Sequence, residues 1–444
     1  MLELDSNRAL LVDLYELTMA AAYFERHVDC RATFELFVRQ LPPERAYLVA
    51  GGIEDAVDYL AALRFTQEHV NFVRSLPVFR NVSSEFFEYL GKFRFAGDVE
   101  AVEEGTLIFA EEPLLQVTAA ILEAQIVETY LLSITNFETL VASKSARVVR
   151  AARGRGVLEF GTRRAQGPEA GVRAARAAYL GGCVATSNVL AGFQYGIPLA
   201  GTAAHSWIQA FPTERQSFEA LLDTFPKDAI LLIDTYDPIT GAETAATLGR
   251  KIAGVRIDSG DLLATSRRVR EILDRHGLRE AKIVASGDLN EYKVEALLSQ
   301  GAPIDLFGVG TDLATSRDVP ALSVVYKLVE IEHNGQVDYK SKFSEEKVYS
   351  PGRKQVFRFS AGAHYHHDLI ARSCEEPSEG TPLLHPVMRN GRRLRSRPCL
   401  QDARTNVLTN LDRLPEPYHA LRNAPGYPVA KSEALQRLLE EVRE

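Results

Sequence analysis

Cysteine is sparse here, and Cys30, Cys183, Cys374 and Cys399 share no metal-ligand spacing. Neither a zinc site nor a disulfide framework is expected; reduced thiols in a cytoplasmic protein are. No uninterrupted apolar run approaches the roughly eighteen residues of a membrane helix, so no membrane partner is expected. Near the amino terminus, Glu3, Asp5 and Asp13 interrupt the chain before any apolar stretch long enough for a signal peptide, so no cleaved leader is expected. An excess of positive charge is missing too. The net charge of −8 at pH 7 argues against a nucleic-acid partner, which asks for a basic surface. It does not argue against an anionic small substrate, because a few arginines and helix amino termini hold phosphate whatever the overall sign.

What is present is a chain of 444 residues with ordinary globular composition, long enough to bury a large core. At roughly 150 residues per domain, two or three units are expected. Up to about residue 130, helical spacing over 13–24 gives way to alternating β-formers over 33–38 and 46–50, then to short segments over 98–118 that read as antiparallel strands. A helical stretch follows over about 119–152. From there short apolar runs alternate with helical patterns at intervals near 25 residues: 157–160, 182–185, 198–201, 230–233, 254–257, 282–285 and 304–307, with 323–331 as a further strand outside the repeat. The segment 335–444 returns to β-like patterning and becomes rich in Arg and Pro without a core pattern of its own. The expected division is therefore an α/β unit of 1–130 completed by 335–444, and a (β/α) unit of 131–334.

The residues behind each run decide the architecture. They are Gly161-Thr162-Arg163-Arg164, Thr186-Ser187-Asn188, Thr202-Ala203-Ala204-His205, Asp234-Thr235-Tyr236-Asp237, Asp258-Ser259-Gly260-Asp261, Ser286-Gly287-Asp288 and Gly308-Val309-Gly310-Thr311-Asp312. Every run ends in glycine, hydroxyl, acid, arginine or histidine. A (β/α) barrel gathers all such ends on one face, whereas an open doubly wound sheet concentrates chemistry at one switch point. An irregular barrel of about seven strands is expected.

Several positions carry candidate chemistry. Ser286-Gly287 and Gly308-Val309-Gly310-Thr311 have the small residues that let backbone N–H groups approach a phosphate, although they also suit plain tight turns. Arg256 and Asp258 stand two apart on one side of a strand, which fits an anion contact beside a ribose or Mg²⁺ contact; an internal salt bridge is the competing reading. Asp234 and Asp237 are candidates to assist with Mg²⁺, and a turn explains Asp237 as well. His205 follows a strand end near a helix start, a setting for a nucleophile or proton carrier, or for a satisfied structural side chain. Phe160 and Tyr15 are aromatic residues able to stack on a flat ring or to join the core. His364, His366 and His367 read as surface strand for want of an acidic ligand at useful spacing, and 389–393 as a solvated turn.

Taken together these strings resemble the nicotinate phosphoribosyltransferase family. The likeness begins with Asp13-Leu14-Tyr15-Glu16-Leu17-Thr18-Met19 and Phe34-Glu35-Leu36-Phe37-Val38-Arg39. It continues with Glu159-Phe160-Gly161-Thr162-Arg163-Arg164-Ala165-Gln166, Thr186-Ser187-Asn188 and Gly201-Thr202-Ala203-Ala204-His205-Ser206-Trp207. Arg256-Ile257-Asp258-Ser259-Gly260-Asp261, Gly308-Val309-Gly310-Thr311 and Gly352-Arg353-Lys354-Gln355-Val356 complete it in family order over about 10–360.

The resemblance implies a homodimer with shared sites, nicotinate and phosphoribosyl pyrophosphate as substrates, ATP as cosubstrate and Mg²⁺ as cofactor. It implies that Tyr15 of the partner subunit and Phe160 sandwich the pyridine, and that Thr202 and Arg256 hold the nicotinate. Asp258 would face ribose and Mg²⁺, while Gly287, Gly310 and Thr311 would hold the 5-phosphate. Arg39, Arg163 and Lys354 would contact pyrophosphate, and His205 would become a phosphohistidine. At Ser187 the nicotinamide-using relatives carry an aspartate, whose carboxylate would repel nicotinate's own, so serine favours the acid. Competing readings are a nicotinamide- or quinolinate-using transferase and a non-catalytic phosphoribosyl-binding barrel. A Schiff-base barrel enzyme is disfavoured because no lysine ends any of the seven runs.

Overall fold

The computed structural model describes residues 7–344 and 347–444; Glu3 and Asp5 lie outside them. The chain divides into two compact units, Val141–Pro320 and a second that joins Met1–Leu140 to Ala321–Glu444. Among the described residues no helix is long and apolar enough to cross a membrane.

Val141–Pro320 holds a curled parallel sheet of six strands: β1 (Gly156–Glu159), β2 (Ala185–Thr186), β3 (Ile230–Leu232), β4 (Gly254–Ile257), β5 (Lys282–Ala285) and β6 (Leu306–Val309). Their spatial order is β2-β1-β6-β5-β4-β3. The last strand lies beside the first, Leu306–Val309 against Gly156–Glu159, as a barrel requires. Closure is incomplete. The seventh strand expected over 198–201 is reduced to a parallel bridge between Thr186 and Leu199, in which Thr186 N–H donates to Pro198 O and Ala200 N–H to Thr186 O. Pro198 has no N–H to continue a ladder. The result is an irregular, open barrel.

The alternation has a plain physical origin. Val255, Ile257, Ile283, Val284 and Phe307 are fully buried, as strands covered on both faces must be. The helix Leu262–Arg275 turns Val269, Ile272 and Leu273 inward. Several polar strand ends are helix caps. Asn188, Asp237, Asp261 and Asn290 each accept a backbone N–H of the helix that follows, a contribution of about 1 kcal/mol apiece.

The other unit contains a seven-stranded antiparallel sheet in the order Gln336–Tyr339, Val324–His333, Arg31–Val38, Pro113–Ala120, Asp98–Val102, Leu384–Arg389, Arg392–Arg393. Val356, Ile370, Leu384, Met388 and Leu435 from the carboxyl-terminal segment share one core with Leu36, Phe86, Val99 and Val117. The strand over 324–333, which the sequence places within the barrel segment, pairs with Arg31–Val38 along its whole length. Phe34 stacks on Tyr326 across that pairing, with ring centroids 4.9 Å apart. The turn expected over 389–393 is present, as the tip of a tight hairpin. Asn390 and Gly391 both have positive φ (48° and 70°), and Arg393 pairs with Glu54 and Asp58. His364 and His366 are exposed on the strand His364–Arg372, and the described residues contain no cluster of three metal-ligating side chains.

Candidate active site

The strand ends of the barrel unit surround a cavity of about 570 Å³. Phe160, Arg163, Ser187, Thr202, His205, Arg256, Asp258, Gly287, Gly310 and Thr311 all line it, as do Ser286 and Arg164.

At its floor Phe160 follows β1 and donates its N–H to Val309 O (2.9 Å). Its ring lies against Gly308, where a Cβ would come within 2.6 Å of the ring carbons, so the ring and any side chain there exclude each other. The Arg256 guanidinium carbon sits 5.8 Å from the Phe160 ring centroid, within cation–π range. Three neighbours fix that guanidinium. Nε donates to Ser286 Oγ (2.8 Å), Nη1 to Thr202 Oγ1 (2.8 Å) and Nη2 to Asp258 Oδ1 (2.6 Å). Arg256 and Asp258 form an ion pair, and both line the cavity.

Burial alone would raise the pKa of Asp258, but a hydrogen bond from Ser286 and the charge of Arg256 hold it below the usual carboxylate value. Its Oδ2 lies 3.8 Å from His205 Nε2. His205 is the first residue of the helix His205–Gln209, with a half-exposed side chain whose Nδ1 is 3.1 Å from Thr235 Oγ1. Through Oδ2, Asp234 accepts the N–H of Asp258 (2.7 Å) and the hydroxyl of Ser259 (2.8 Å); its buried Oδ1 has no hydrogen-bond partner among the described residues. Asp237 is occupied elsewhere, accepting both the N–H and the hydroxyl of Thr240 at 2.7 Å.

The glycine loops lie where backbone approaches backbone. Gly287 has φ +97°, and a Cβ there would stand 2.0 Å from Asp258 O. At Gly161 a Cβ would collide with Ala314 Cβ at 2.3 Å. Two braces received no role from the sequence. Glu159, fully buried at the end of β1, accepts from Thr186 Oγ1 (2.6 Å) and from Gly161 N–H. Asn188 Nδ2 donates to Thr162 Oγ1 (3.0 Å). Their signal was position alone, an acid and an amide at strand ends.

Tyr15, Arg39 and Lys354 belong to the other unit. Tyr15 is half-exposed on the helix Leu14–Glu25. Arg39 follows the strand Arg31–Val38 and donates its N–H to Ser323 O (3.0 Å). Lys354 is buried, ion-paired to Glu35 at 3.0 Å, and donates to the carbonyls of Ser350 and Gly352, both at 2.7 Å. In that setting two of its donors are taken by carbonyls and its charge is balanced by Glu35.

Three family models match: the nicotinate phosphoribosyltransferase N-terminal domain over residues 10–136, the nicotinate phosphoribosyltransferase family over 156–350, and its C-terminal domain over 364–439. The chain is 45% identical over 435 residues to a nicotinate phosphoribosyltransferase of Mycobacterium tuberculosis, covering 96% of this chain and 92% of that protein. It is 38% identical over 463 residues to the nicotinate phosphoribosyltransferase of Bacillus subtilis, with 97% and 94% covered. Among solved structures it is similar to human nicotinic acid phosphoribosyltransferase, at a TM-score of 0.84 and 29% identity over 97% of this chain and 99% of that one.

Proposed function

Since this chain belongs to the nicotinate phosphoribosyltransferase family, we propose that its barrel cavity carries the whole reaction and couples it to ATP hydrolysis through a phosphohistidine at His205. The enzyme forms nicotinate mononucleotide and pyrophosphate from nicotinate and phosphoribosyl pyrophosphate, a step of NAD salvage. The observation that carries the assignment to this cavity is the Arg256 guanidinium, locked by Asp258, Ser286 and Thr202 beside the Phe160 ring.

The pyridine nitrogen attacks the anomeric carbon as pyrophosphate departs, through a transition state of oxocarbenium character. Positioning and charge stabilisation therefore matter more than a strong base. Phe160 and the partner subunit's Tyr15 hold the ring, and Arg256 with Thr202 takes its carboxylate. Asp258 faces the ribose, and the backbone at Gly287, Gly310 and Thr311 takes the 5-phosphate. Arg163, exposed at the cavity rim, is the barrel unit's cation for pyrophosphate. Asp258 Oδ2 accepts no hydrogen bond among the described residues, and the neighbouring Asp234 Oδ1 is likewise unpartnered. Such a sparse carboxylate set fits Mg²⁺, which keeps its waters and takes most ligands from substrate phosphates. When bound, it neutralises charge on the departing pyrophosphate.

In the tautomer that donates Nδ1–H to Thr235 Oγ1, the Nε2 lone pair of His205 is free to accept the γ-phosphoryl group of ATP as ADP leaves. A homodimer belongs to the same reading. Val189, Leu190 and Phe193, on the helix directly after Ser187-Asn188, are 70%, 50% and 87% exposed, an apolar face suited to a second copy. The free thiols Cys374 and Cys399 are exposed, which fits a reducing cytoplasm.

Purified protein is assayed for mononucleotide with phosphoribosyl pyrophosphate and Mg²⁺, using nicotinate or nicotinamide, with and without ATP. Product from nicotinate, stimulated by ATP, and little from nicotinamide is expected. In the same assay Ser187→Asp loses nicotinate use about a hundredfold, because two carboxylates about 6 Å apart repel by about 2.8 kcal/mol at an effective dielectric of about 20. Equal use of both rings by the parent enzyme would remove the role given to Ser187, and indifference to ATP would remove the coupling.

A further inference from the structure

We propose that Lys144 is a positioning residue that sets the spacing of the two loops assigned to the 5-phosphate; the inference rests on that assignment of Gly287, Gly310 and Thr311. Lysine is almost never fully buried unless paired, and Lys144, on the helix Glu128–Ala151, has a side chain only 1% exposed. Its ammonium meets three acids, Glu291 Oε2 at 2.7 Å, Asp318 Oδ1 at 2.8 Å and Asp312 Oδ1 at 3.2 Å.

The places of those acids in the chain make the point. Glu291 opens the helix Glu291–Ser299 just after the loop 286–288, and Asp312 is the second residue of the helix Thr311–Ala314 just after Gly310. The parallel ladder between β5 and β6 ends at Ala285 and Phe307, short of both loops. Beyond that point the Lys144 ammonium ties the exit of one loop to the exit of the other. Arg147, one turn along the same helix, completes the clamp by donating Nε to the other oxygen of Glu291 (3.1 Å) and Nη2 to the hydroxyl of Tyr292 (3.2 Å). Burial alone would lower the pKa of Lys144, but Glu291 and Asp318 more than offset it, so the clamp stays charged. Packed apolar side chains often replace a buried ion cluster without loss of stability. What such side chains lack is directionality, which a phosphate site held by backbone N–H groups needs.

The test uses Lys144→Met combined with Asp318→Asn, which leaves the cluster's net charge unchanged, and Asp312→Asn alone, a milder change that keeps Lys144 paired with Glu291 and Asp318. In the double variant KM for phosphoribosyl pyrophosphate rises about tenfold while KM for nicotinate holds, and inhibition by ribose 5-phosphate weakens in parallel. Asp312→Asn shows the same pattern at about threefold, and it decides the matter if the double variant fails to fold. A role in folding alone would lower melting temperature and active fraction with no change in KM. An unchanged KM for phosphoribosyl pyrophosphate in the folded variants overturns the proposal. Gly310→Ala, where an added Cβ comes no closer than 3.2 Å to Phe160 O, separates the two failures. If it raises that KM and the clamp variants do not, only the role of Lys144 falls. If it leaves KM untouched, the phosphate assignment falls and the clamp with it.

Discussion

His205→Asn abolishes stimulation by ATP and removes acid-labile phosphate labelling of the protein, while slow ATP-independent synthesis of nicotinate mononucleotide persists. The substitution is selective for a geometric reason. Asparagine places a polar atom near the position of Nδ1, where it can keep the contact to Thr235 now made at 3.1 Å. It has no counterpart of Nε2, the nitrogen that faces Asp258 at 3.8 Å. The proposed phosphoryl acceptor is lost and the local packing is not, and a side chain this exposed contributes little to stability. Labelling with γ-phosphate-labelled ATP, read beside mononucleotide formation, checks both halves. Label that survives in the variant places the acceptor on another residue.

Asp258→Asn has the larger effect on the transfer itself, a fall in kcat/KM of about a thousandfold. Three functions are lost together. Arg256 loses its only charged partner among those that fix it and keeps Ser286 and Thr202. The oxygen proposed to face the ribose and Mg²⁺ becomes an NH₂ group, which donates where an acceptor is needed. The negative charge that balances a cationic transition state disappears. The pKa of Asp258 is lowered in the fold, so the stability its charge contributes is present above the unfolded carboxylate pKa. That contribution fades as pH falls through the lower folded value. Stability of the parent enzyme and the variant therefore converges in acid and differs at neutral pH, where the melts separate lost stability from lost transfer. Steady-state kinetics with thermal melts at pH 7 and in acid tests this. A variant with near-parental kcat/KM would take Asp258 out of the site.

Much of this was legible in the chain because buried parallel strands are short apolar runs with polar ends. The runs over 254–257 and 282–285 match β4 and β5 residue for residue. Where legibility ended, the cause was non-local or local chemistry that periodicity does not register. Nothing near 324–333 announces that its partner is Arg31–Val38, so periodicity alone leaves that strand next to the barrel segment. Pro198 cut a predicted strand to a bridge. The site was readable as a set of strand ends, from Phe160 to Thr311, because one end of every strand opens on one cavity. Its supports were not. Ser286, Glu159 and Lys144 act through contacts with residues distant in sequence, and Lys354, which the resemblance gives to pyrophosphate, is sealed against Glu35.

A crystal structure of the enzyme with nicotinate mononucleotide bound bears most directly on the single-cavity account. The pyridine should lie on Phe160 with its carboxylate at Arg256, the ribose hydroxyls at Asp258, and the phosphate against the backbone of Gly287, Gly310 and Thr311. Density for the nucleotide away from these residues, for instance in the polar cleft lined by Arg31, Arg353 and Arg389, would contradict it.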